Sequence, residues 1–540
     1  MIKSISIITK SGKKEINFDV NQKFKLNIKI SEAYISFISS FDIEIIFQIP
    51  IVEFRNHDYT WVKCDEDRIA NQFSPKIIRL KNGQNVQANI TNGIWEINKK
   101  ESTILYWKFN PENAAPLTTY SGNDNKKIIA NASQDFVFKE IPSLLFPINN
   151  GIEFSRSKIP FSAVACFTDH CDFDTPENLI IQREFFKKVN VKTTKGFFLN
   201  HFSKRSDNAS FENDASELMK WKEDGHELCY HSLSQSIKSK TDSLSDFNNF
   251  VSPFPATKVW IDHGYQPYNF SLFQENKITG KEYELKLFDK NIKILWNYID
   301  SGTATSGVIN QLDKQQFTLF SFLKGSNNLS VIKKSQLMIK NIIFHYYNEE
   351  RLILKYKITA ANFKKLIYEK KINSFLPLIK DLSGLIYALF VVFVFWKTNK
   401  KKPYKLAKYT PILFKHLIFE KEFYIFQTLE MLDFKKALDK KNIEILIRQK
   451  GIFIAHTYFS VPMEYHPGKL FSGINTIDPV VANNFMLLGD KIKNNEIWNP
   501  TLSELVDYWS GFENIVLDID ANGVLFVENH SNIIFREILS

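Results

Sequence analysis

Apolar and polar positions alternate over short stretches in the first 145 residues, as in "KFKLNIKI" and "TILYWKF", with turn residues such as Asn92-Gly93 between them. A period of two with intervening turns is typical of half-buried antiparallel strands. We therefore predict an all-β domain over residues 1–145, folded as a β-sandwich. Trp95 and Trp107 in this region have two interpretations, as core residues or as a surface for stacking a sugar ring.

From about residue 155 the pattern changes to strands followed by helices. The run "FSAVACF" predicts a buried strand, and "TPENLIIQREFFKKVN" after it has apolar residues at helical spacing behind a Thr-Pro start. Strand patterns recur in "VKTTKGFFLN", "HELCYHS", "TKVWIDHG" and "KILWNYID". This alternation predicts an α/β fold with a (β/α) barrel domain over residues 155–515, followed by a C-terminal β-hairpin tail over residues 516–540.

A basic, mostly helical stretch interrupts this domain, and we predict an insertion over residues 312–412. Between residues 331 and 450 the chain has 25 Lys and Arg against 10 Asp and Glu. The most apolar part, Leu385 to Trp396, is an uninterrupted run of 12 residues, whereas a membrane-spanning helix needs about 20. The run is therefore interpreted either as a buried helix or as a peripheral anchor on an anionic membrane surface, with Trp396 and the lysines after it at the headgroups.

The compartment is predicted from the cysteines and the N-terminus. The four cysteines form no CxxC pair, so a reducing compartment is expected. The first 20 residues lack the apolar core and cleavage site of a signal peptide. We predict a cytoplasmic protein, with peripheral contact at the inner membrane as an extension, and we expect no nucleic-acid partner.

Asp and His residues follow the ends of the predicted strands. They are Asp169, His170, Asp172, His231, Asp262, His263, Asp300 and His456. In a barrel these positions would face one mouth. Imidazole and carboxylate groups suit a divalent metal such as zinc, and a metal with an open position polarises a carbonyl and activates water. The chain contains no Gly-rich phosphate loop, GxSxG or HExxH motif to support other chemistry.

Three motifs resemble those of the polysaccharide deacetylase family of carbohydrate esterases. They are "FTDH" at 167–170, "GHELCYHS" at 225–232 and "GIFIAH" at 451–456. The resemblance covers roughly residues 155–310 and 415–510. It implies a distorted (β/α) barrel of polysaccharide-deacetylase type and a metal-dependent removal of acetyl groups from amino sugars.

By this resemblance, each conserved role of the family is carried over to one position. Asp169 stands where the family has its catalytic base, and His456 matches the late histidine that acts as general acid. His170 occupies the position of a metal-binding Asp, and His231 matches the first metal-binding His.

The motifs also depart from the family pattern. The second metal-binding His is Gln235 here, and Gln is a poor zinc ligand. Asp172 and His263 are therefore further candidate metal ligands, since each also follows a strand. The candidate substrate-binding residues are Asp262, Tyr268, Trp296 and Asp300.

Together these features predict a metal-dependent deacetylase in bacterial surface polysaccharide metabolism. Its substrate would be an acetylated sugar or glycan, including a lipid- or nucleotide-linked sugar, and its cofactor a divalent metal, with zinc preferred. The alternative is a catalytically inactive carbohydrate-binding or scaffold protein, because one metal ligand of the family is replaced. A third interpretation keeps the metal site and changes the reaction to another C–N or glycosidic hydrolysis.

Overall fold

The computed structural model describes residues 1–30, 41–109, 115–121, 126–131, 140–235, 238–261, 280–297, 305–327, 329–347, 349–367, 369–418, 420–431, 434–460, 470–529 and 532–539. Four of the candidate site residues lie outside this part of the chain. They are Asp262, His263, Tyr268 and Asp300.

Two antiparallel sheets form the N-terminal part of the protein. The first has, in spatial order, the strands Gly12–Glu15, Ile2–Thr9, Asp42–Phe47, Ile104–Lys108, Ile94–Ile97 and Arg68–Ala70. The second has Phe18–Gln22, Lys25–Ile28, Ser143–Leu145, Asn85–Ala88, Ile77–Leu80, Ile51–Arg55 and Trp61–Lys63. Residues from both sheets, such as Ile45 and Ile78, share one apolar core, so the arrangement is sandwich-like.

The two tryptophans of this region belong to that core. Trp95 and Trp107 are fully buried, and their rings meet edge to face at 5.8 Å between centroids. A buried ring has no face available to a sugar, so the interpretation of these residues as a sugar-stacking surface is wrong.

The middle of the molecule is one curled sheet of ten described strands. Its spatial order is Leu413–Ile418, Lys421–Gln427, Ile294–Asn297, Val259–Trp260, Glu227–Tyr230, Thr194–Phe197, Ala163–Asp169, Ile452–Thr457 and Leu429–Glu430, with Ile497–Trp498 also paired to Ala163–Asp169. The pairs are parallel except for the first, which is antiparallel. The helices packed with it are Pro176–Lys188, Phe211–Glu223, Lys240–Asn249, Gly280–Asp289, Phe434–Ala437, Lys440–Arg448, Pro479–Lys493 and Leu502–Trp509.

The predicted (β/α) barrel of polysaccharide-deacetylase type is wrong. The described residues form mostly β-sheets, with the sandwich-like N-terminal sheets beside a mixed, curled sheet in the form of a half-barrel. This sheet has an antiparallel edge strand, and three of its strands are only two residues long. A local strand-then-helix pattern predicts parallel neighbours, but a regular barrel also depends on strand number and stagger around the whole sheet, which local patterns do not contain.

Short pairs of strands complete the β structure. Val516–Ile519 and Leu525–Asn529 form the antiparallel hairpin expected near the C-terminus. The remaining pairs are Asn150–Phe154 with Phe535–Leu539, Pro116–Ser121 with Lys126–Asn131, and Phe471–Gly473 with Thr476–Ile477. The short 3₁₀ helices are Lys314–Gln316, Ile372–Ser374, Lys405–Ala407 and Ser510–Asn514.

The insertion is helical. Its helices are Leu319–Gly325, Val331–Ile342, Glu350–Ile367 and Phe375–Asn399, with a π-helical turn at Ile343–Tyr347. The two ends of the insertion meet where Phe320 N donates to Lys400 O at 2.8 Å. Within the described residues, none of the helices combines the length and apolar character needed to cross a membrane. The domain limits given above stay predictions.

The two faces of the curled sheet pack into two separate apolar cores. In the strand Ala163–Asp169, Ala165 and Phe167 pack into one core, whereas Val164 and Cys166 pack into the other. This is the period-two alternation of a strand buried on both sides. Residues at the carboxyl end of this strand are therefore directed to different faces according to their position.

Candidate metal centre

Three of the candidate residues converge at the carboxyl ends of two strands. His170 follows the strand Ala163–Asp169, and its Nδ1 lies 3.2 Å from Nε2 of His231, the residue after Glu227–Tyr230. Oδ2 of Asp172 lies 2.9 Å from His231 Nε2 and 3.9 Å from His170 Nδ1. All three side chains are buried. We call His170, Asp172 and His231 the histidine cluster.

The histidine cluster fits a divalent metal ion. Tetrahedral zinc with bonds of about 2.0–2.1 Å holds its ligand atoms about 3.3 Å apart, and the cluster distances of 2.9, 3.2 and 3.9 Å lie around this value. A catalytic zinc site has three protein ligands and one open position. These three residues could therefore hold a metal ion, although imidazole and carboxylate also suit other divalent ions.

Local backbone features bring the two histidines together. Ser232, directly after His231, has φ of 59°, in the left-handed region that costs energy for a non-glycine residue. In the strand between them, a Cβ added at Gly196 would lie 2.8 Å from Asp169 O and 3.4 Å from His231 Cβ. Glycine at this position allows the strands to approach closely enough for the cluster to form.

His456 lies beside the histidine cluster, at the end of the neighbouring strand. Its ring centroid is 3.8 Å from that of His170 and 4.6 Å from that of Trp296. Burial, and then the neighbouring His231, lower the pKa of His456 well below its ordinary value. At neutral pH the imidazole of His456 is therefore uncharged.

Hydrogen bonds indicate the tautomer of His456. The hydroxyl of Thr168 donates to Ala455 O at 3.1 Å, and its oxygen is 2.7 Å from His456 Nδ1. Since the hydroxyl has one hydrogen, this oxygen accepts from Nδ1–H. Nε2 then carries a lone pair, and it is buried without a hydrogen-bond partner among the described residues. His456 thus presents an open acceptor nitrogen beside the histidine cluster.

Asp169, the predicted catalytic base, points to the opposite face of the sheet. Lys195 Nζ, on the next strand, donates to Asp169 Oδ2, to Asp174 Oδ2 at 2.5 Å and to Gln182 Oε1 at 3.2 Å. The hydroxyl of Ser460 donates to Asp174 Oδ1. These five residues are buried, and we call them the lysine cluster.

The lysine cluster shares one cation between two carboxylates. Burial by itself lowers the pKa of Lys195, but the attraction of Asp169 and Asp174 outweighs burial and raises this pKa above its usual value. Burial raises the pKa of Asp169 to about 7 against the attraction of Lys195. Oδ1 of Asp169 has no hydrogen-bond partner in the described part of the chain. Lys195 therefore stays charged and holds Asp169 away from the histidine cluster.

The candidate Trp296 and the ligand-replacing Gln235 lie near the histidine cluster without joining it. Trp296 Nε1 donates to Thr428 Oγ1 at 3.0 Å, and its ring centroid is 5.3 Å from that of His170. The amide of Gln235 donates to the backbone oxygen of Asp172, and its oxygen accepts from the Ser203 hydroxyl. Gln235 thus supports the loop that carries Asp172 instead of serving as a ligand.

The sequence motifs did not identify four members of the lysine cluster, Lys195, Asp174, Gln182 and Ser460, nor Tyr458, which lies beside the histidine cluster. Lys195 could have been noticed, because a lysine inside the buried strand "TKGF" requires a partner for its charge. Asp174 directly precedes the Thr-Pro start of the next helix, but Thr175 is the N-cap, in a capping box with Asn178, and Asp174 binds Lys195 instead. Tyr458 stacks on His170 at 4.3 Å between ring centroids, and no local signal identifies it.

Comparison with known proteins yields no family for this chain. No family model matches it, and neither does any curated protein. The GH31 dextranase of Flavobacterium johnsoniae complexed with glucose is 7% identical, over 63% of this chain and 52% of that chain, with a TM-score of 0.23. A xylosidase from Aspergillus niger is 9% identical, over 55% of this chain and 42% of that chain, with a TM-score of 0.19. The chain spans about half the length of the dextranase that it matches, and likeness at these TM-scores supports no conclusion about function.

Proposed function

We propose that the protein is a metal-dependent hydrolase that removes acetyl groups from a sugar or glycan, with zinc as the metal. The observation that carries this proposal is the convergence of His170, Asp172 and His231, buried at the carboxyl ends of the two strands on either side of Thr194–Phe197. A bound divalent ion at this position would polarise the acetyl carbonyl and lower the pKa of water.

His456 has the geometry for moving the proton. Its Nε2 lone pair is open, and the hydrogen bond between Nδ1 and Thr168 keeps the ring oriented. In this proposal Nε2 accepts the proton of the attacking water and returns it to the leaving oxygen or nitrogen of the sugar. His456 is thus assigned as acceptor first and donor second, because its lowered pKa leaves it neutral before the reaction.

Aromatic rings enclose the position where the reaction would occur. Tyr458 stacks on His170 with only 12° between the ring planes, and Trp296 lies against both His170 and His456. These rings would exclude bulk water from the position of the reaction.

The substrate class is supported by the motifs. The stretches containing His170, His231 and His456 resemble three motifs of polysaccharide deacetylases, which act on acetylated sugars. We propose an acetylated glycan, or a lipid- or nucleotide-linked sugar, in bacterial surface polysaccharide metabolism as the substrate.

Metal analysis and acetate release test the proposal together. We expect the purified protein to hold one zinc or other divalent ion and to release acetate from N-acetylated or O-acetylated oligosaccharides. His231→Ala should abolish both. His226→Gln is the matched control, because His226 lies at the amino end of the same strand, where its Nδ1 accepts from Thr193 N at 3.2 Å. A protein without stoichiometric metal, or acetate release that survives His231→Ala, would show the proposal to be wrong.

A second candidate function is carbohydrate binding without catalysis. It is favoured by the position of Asp169, because the residue that matches the family's base is bound to Lys195 on the other face of the sheet. This alternative predicts glycan binding that chelators do not alter and no acetate release from any acetylated sugar. The same metal and acetate measurements therefore separate the two candidates.

A further inference from the structure

Two helices of the insertion form a hairpin, Glu350–Ile367 and Phe375–Asn399, which we call the helical hairpin. Asn362 of the first helix donates to Asp381 of the second at 2.7 Å. At the base, the ring of Phe395 packs on Tyr346 at 4.8 Å. Phe375 begins the second helix 20 residues earlier, about 30 Å along the helix axis. The end around Ile372–Ser374 is thus the tip of the helical hairpin.

The second helix of the hairpin exposes a stripe of large apolar side chains. Its exposed members are Phe375, Leu376, Ile379, Leu382, Phe390, Phe393 and Val394. At about 100° per residue these positions fall within about 120° around the helix axis, which places them along one side of the helix. Leu376 is 76% exposed, and Ile372 at the tip is 80% exposed.

The neighbouring helix also exposes large apolar side chains. Leu354 and Ile358, one turn apart, are 56% and 44% exposed. A row of exposed apolar side chains among basic residues favours an interaction site, since single exposed apolar residues are common but a row along one helix is not. We call the stripe, Ile372, Leu354 and Ile358 together the apolar stripe.

The charges around the apolar stripe are predominantly positive. Residues 331–402 contain 15 Lys and Arg against 4 Asp and Glu. Five lysines near the tip are exposed, and they are Lys364, Lys365, Lys370, Lys371 and Lys380. A second copy of this chain would bring the same positive charge against itself, so the complementary partner is anionic.

We propose that the helical hairpin docks the protein on an anionic lipid bilayer. The apolar stripe enters the boundary between headgroups and acyl chains, beginning at Ile372 and Leu376, while the tip lysines contact the lipid phosphates. An interfacial helix needs this combination of an apolar side and a basic rim, and it does not need to span the bilayer. The proposal is independent of the reaction at the histidine cluster.

Flotation of the full-length protein with vesicles tests the apolar part. We expect binding to vesicles of phosphatidylcholine with about one third phosphatidylglycerol, and a loss of about tenfold or more in the partition coefficient for the double variant Ile372→Asp/Leu376→Asp. The matched control is Val251→Asp/Ile474→Asp, since these residues are 84% and 92% exposed outside the insertion. The control should bind as the unmodified protein does.

Charge reversal tests the choice of partner. Lys370→Glu/Lys371→Glu should lower the partition coefficient about tenfold or more. The control is Lys99→Glu/Lys100→Glu, which reverses two exposed adjacent lysines outside the insertion and should have little effect. Equal binding to vesicles of phosphatidylcholine alone would overturn the anionic preference. Absence of vesicle binding would overturn docking on lipid. A dimer that forms without vesicles and dissociates in the tip variants would also overturn it.

Discussion

The histidine cluster and the lysine cluster lie on opposite faces of the same strand end, and they use similar residues in different ways. In the lysine cluster, Lys195 supplies a buried cation to Asp169 and Asp174, so the protein itself provides the opposite charge. In the histidine cluster, two imidazoles and one carboxylate present their ligand atoms to one another within 3.9 Å. Several buried ionisable groups close together therefore do not by themselves identify a metal site. The decisive feature is whether a side chain of the protein, such as Lys195, neutralises the carboxylates.

The largest expected effect comes from removing the cation of the lysine cluster. Lys195→Met should lower the free energy of unfolding by about 3–5 kcal/mol, because it leaves buried carboxylates without their partner. Urea unfolding measures this loss. Lys187→Met is the control, since Lys187 forms an exposed pair with Asp224 at 2.6 Å and should cost about 1 kcal/mol or less. Equal losses in the two variants would contradict a structural role for the lysine cluster.

The next effect should be confined to the histidine cluster. A metal present at 100 times its dissociation constant stabilises the folded chain by about 2.7 kcal/mol, so EDTA should lower the melting temperature of the metal-loaded protein. Asp172→Asn should abolish the response to EDTA, whereas His226→Gln should preserve it. If EDTA leaves the melting temperature of the unmodified protein unchanged, the histidine cluster does not bind a metal that stabilises the fold.

A third region is the amino end of the strand that precedes His231, where His226 makes the free energy of unfolding depend on pH. Burial lowers the pKa of His226 to about 4 in the folded protein, against 6.5 in the unfolded chain. Below pH 6.5 the unfolded chain takes up the proton first, so stability is complete above pH 6.5 and falls as the pH drops toward 4. The loss by pH 4 should be about 3 kcal/mol.

The variant His226→Gln should have a flatter dependence of unfolding free energy on pH between 4 and 6.5. Denaturation by urea at several pH values provides the measurement. An unchanged slope in His226→Gln would mean that this histidine titrates alike in the folded and unfolded states.

The smallest effect should come from the hydrogen bond that orients His456. Thr168→Val should cost about 1 kcal/mol of stability, but it should lower acetate release further than that loss of folded protein explains, with metal content unchanged. Thr359→Val is the control, because it removes a comparable hydroxyl bond to Lys355 O at 2.9 Å in the insertion. If both variants release acetate at the same rate, the orientation of His456 by Thr168 has no part in the reaction.

Much of the local structure could be predicted from periodicity. The antiparallel strands of the first 145 residues, the helices after Thr175 and Thr501, and the hairpin around Gly523 follow from alternation, capping residues and turn residues. The predicted (β/α) barrel was wrong because the course of a sheet depends on pairings between distant strands. The assignment of Trp95 and Trp107 stayed open for the same reason, since burial depends on the facing sheet.

The candidate site was predictable only in part. His170, Asp172 and His231 follow predicted strands, and the structure brings them together. Asp169, directly before His170, is the last residue of the strand Ala163–Asp169 and belongs to the lysine cluster. Successive residues of a strand face opposite sides of the sheet. Asp169 therefore forms a structural ion pair, although His170, one position later, is a candidate metal ligand.

The sequence by itself determined which residues end the strands and which side of the strand each one takes, because the period of two is a property of the extended backbone. The tertiary structure alone decided which residues the side chains on each face of the strand contact. Lys195 reaches Asp169 across 26 residues of chain, and His456 reaches Thr168 across 288. Parallel pairing brings the ends of strands that are distant in sequence to one edge of the sheet. Only this arrangement shows that Asp169 is neutralised by Lys195, whereas the ligand atoms of the histidine cluster lie around a common point.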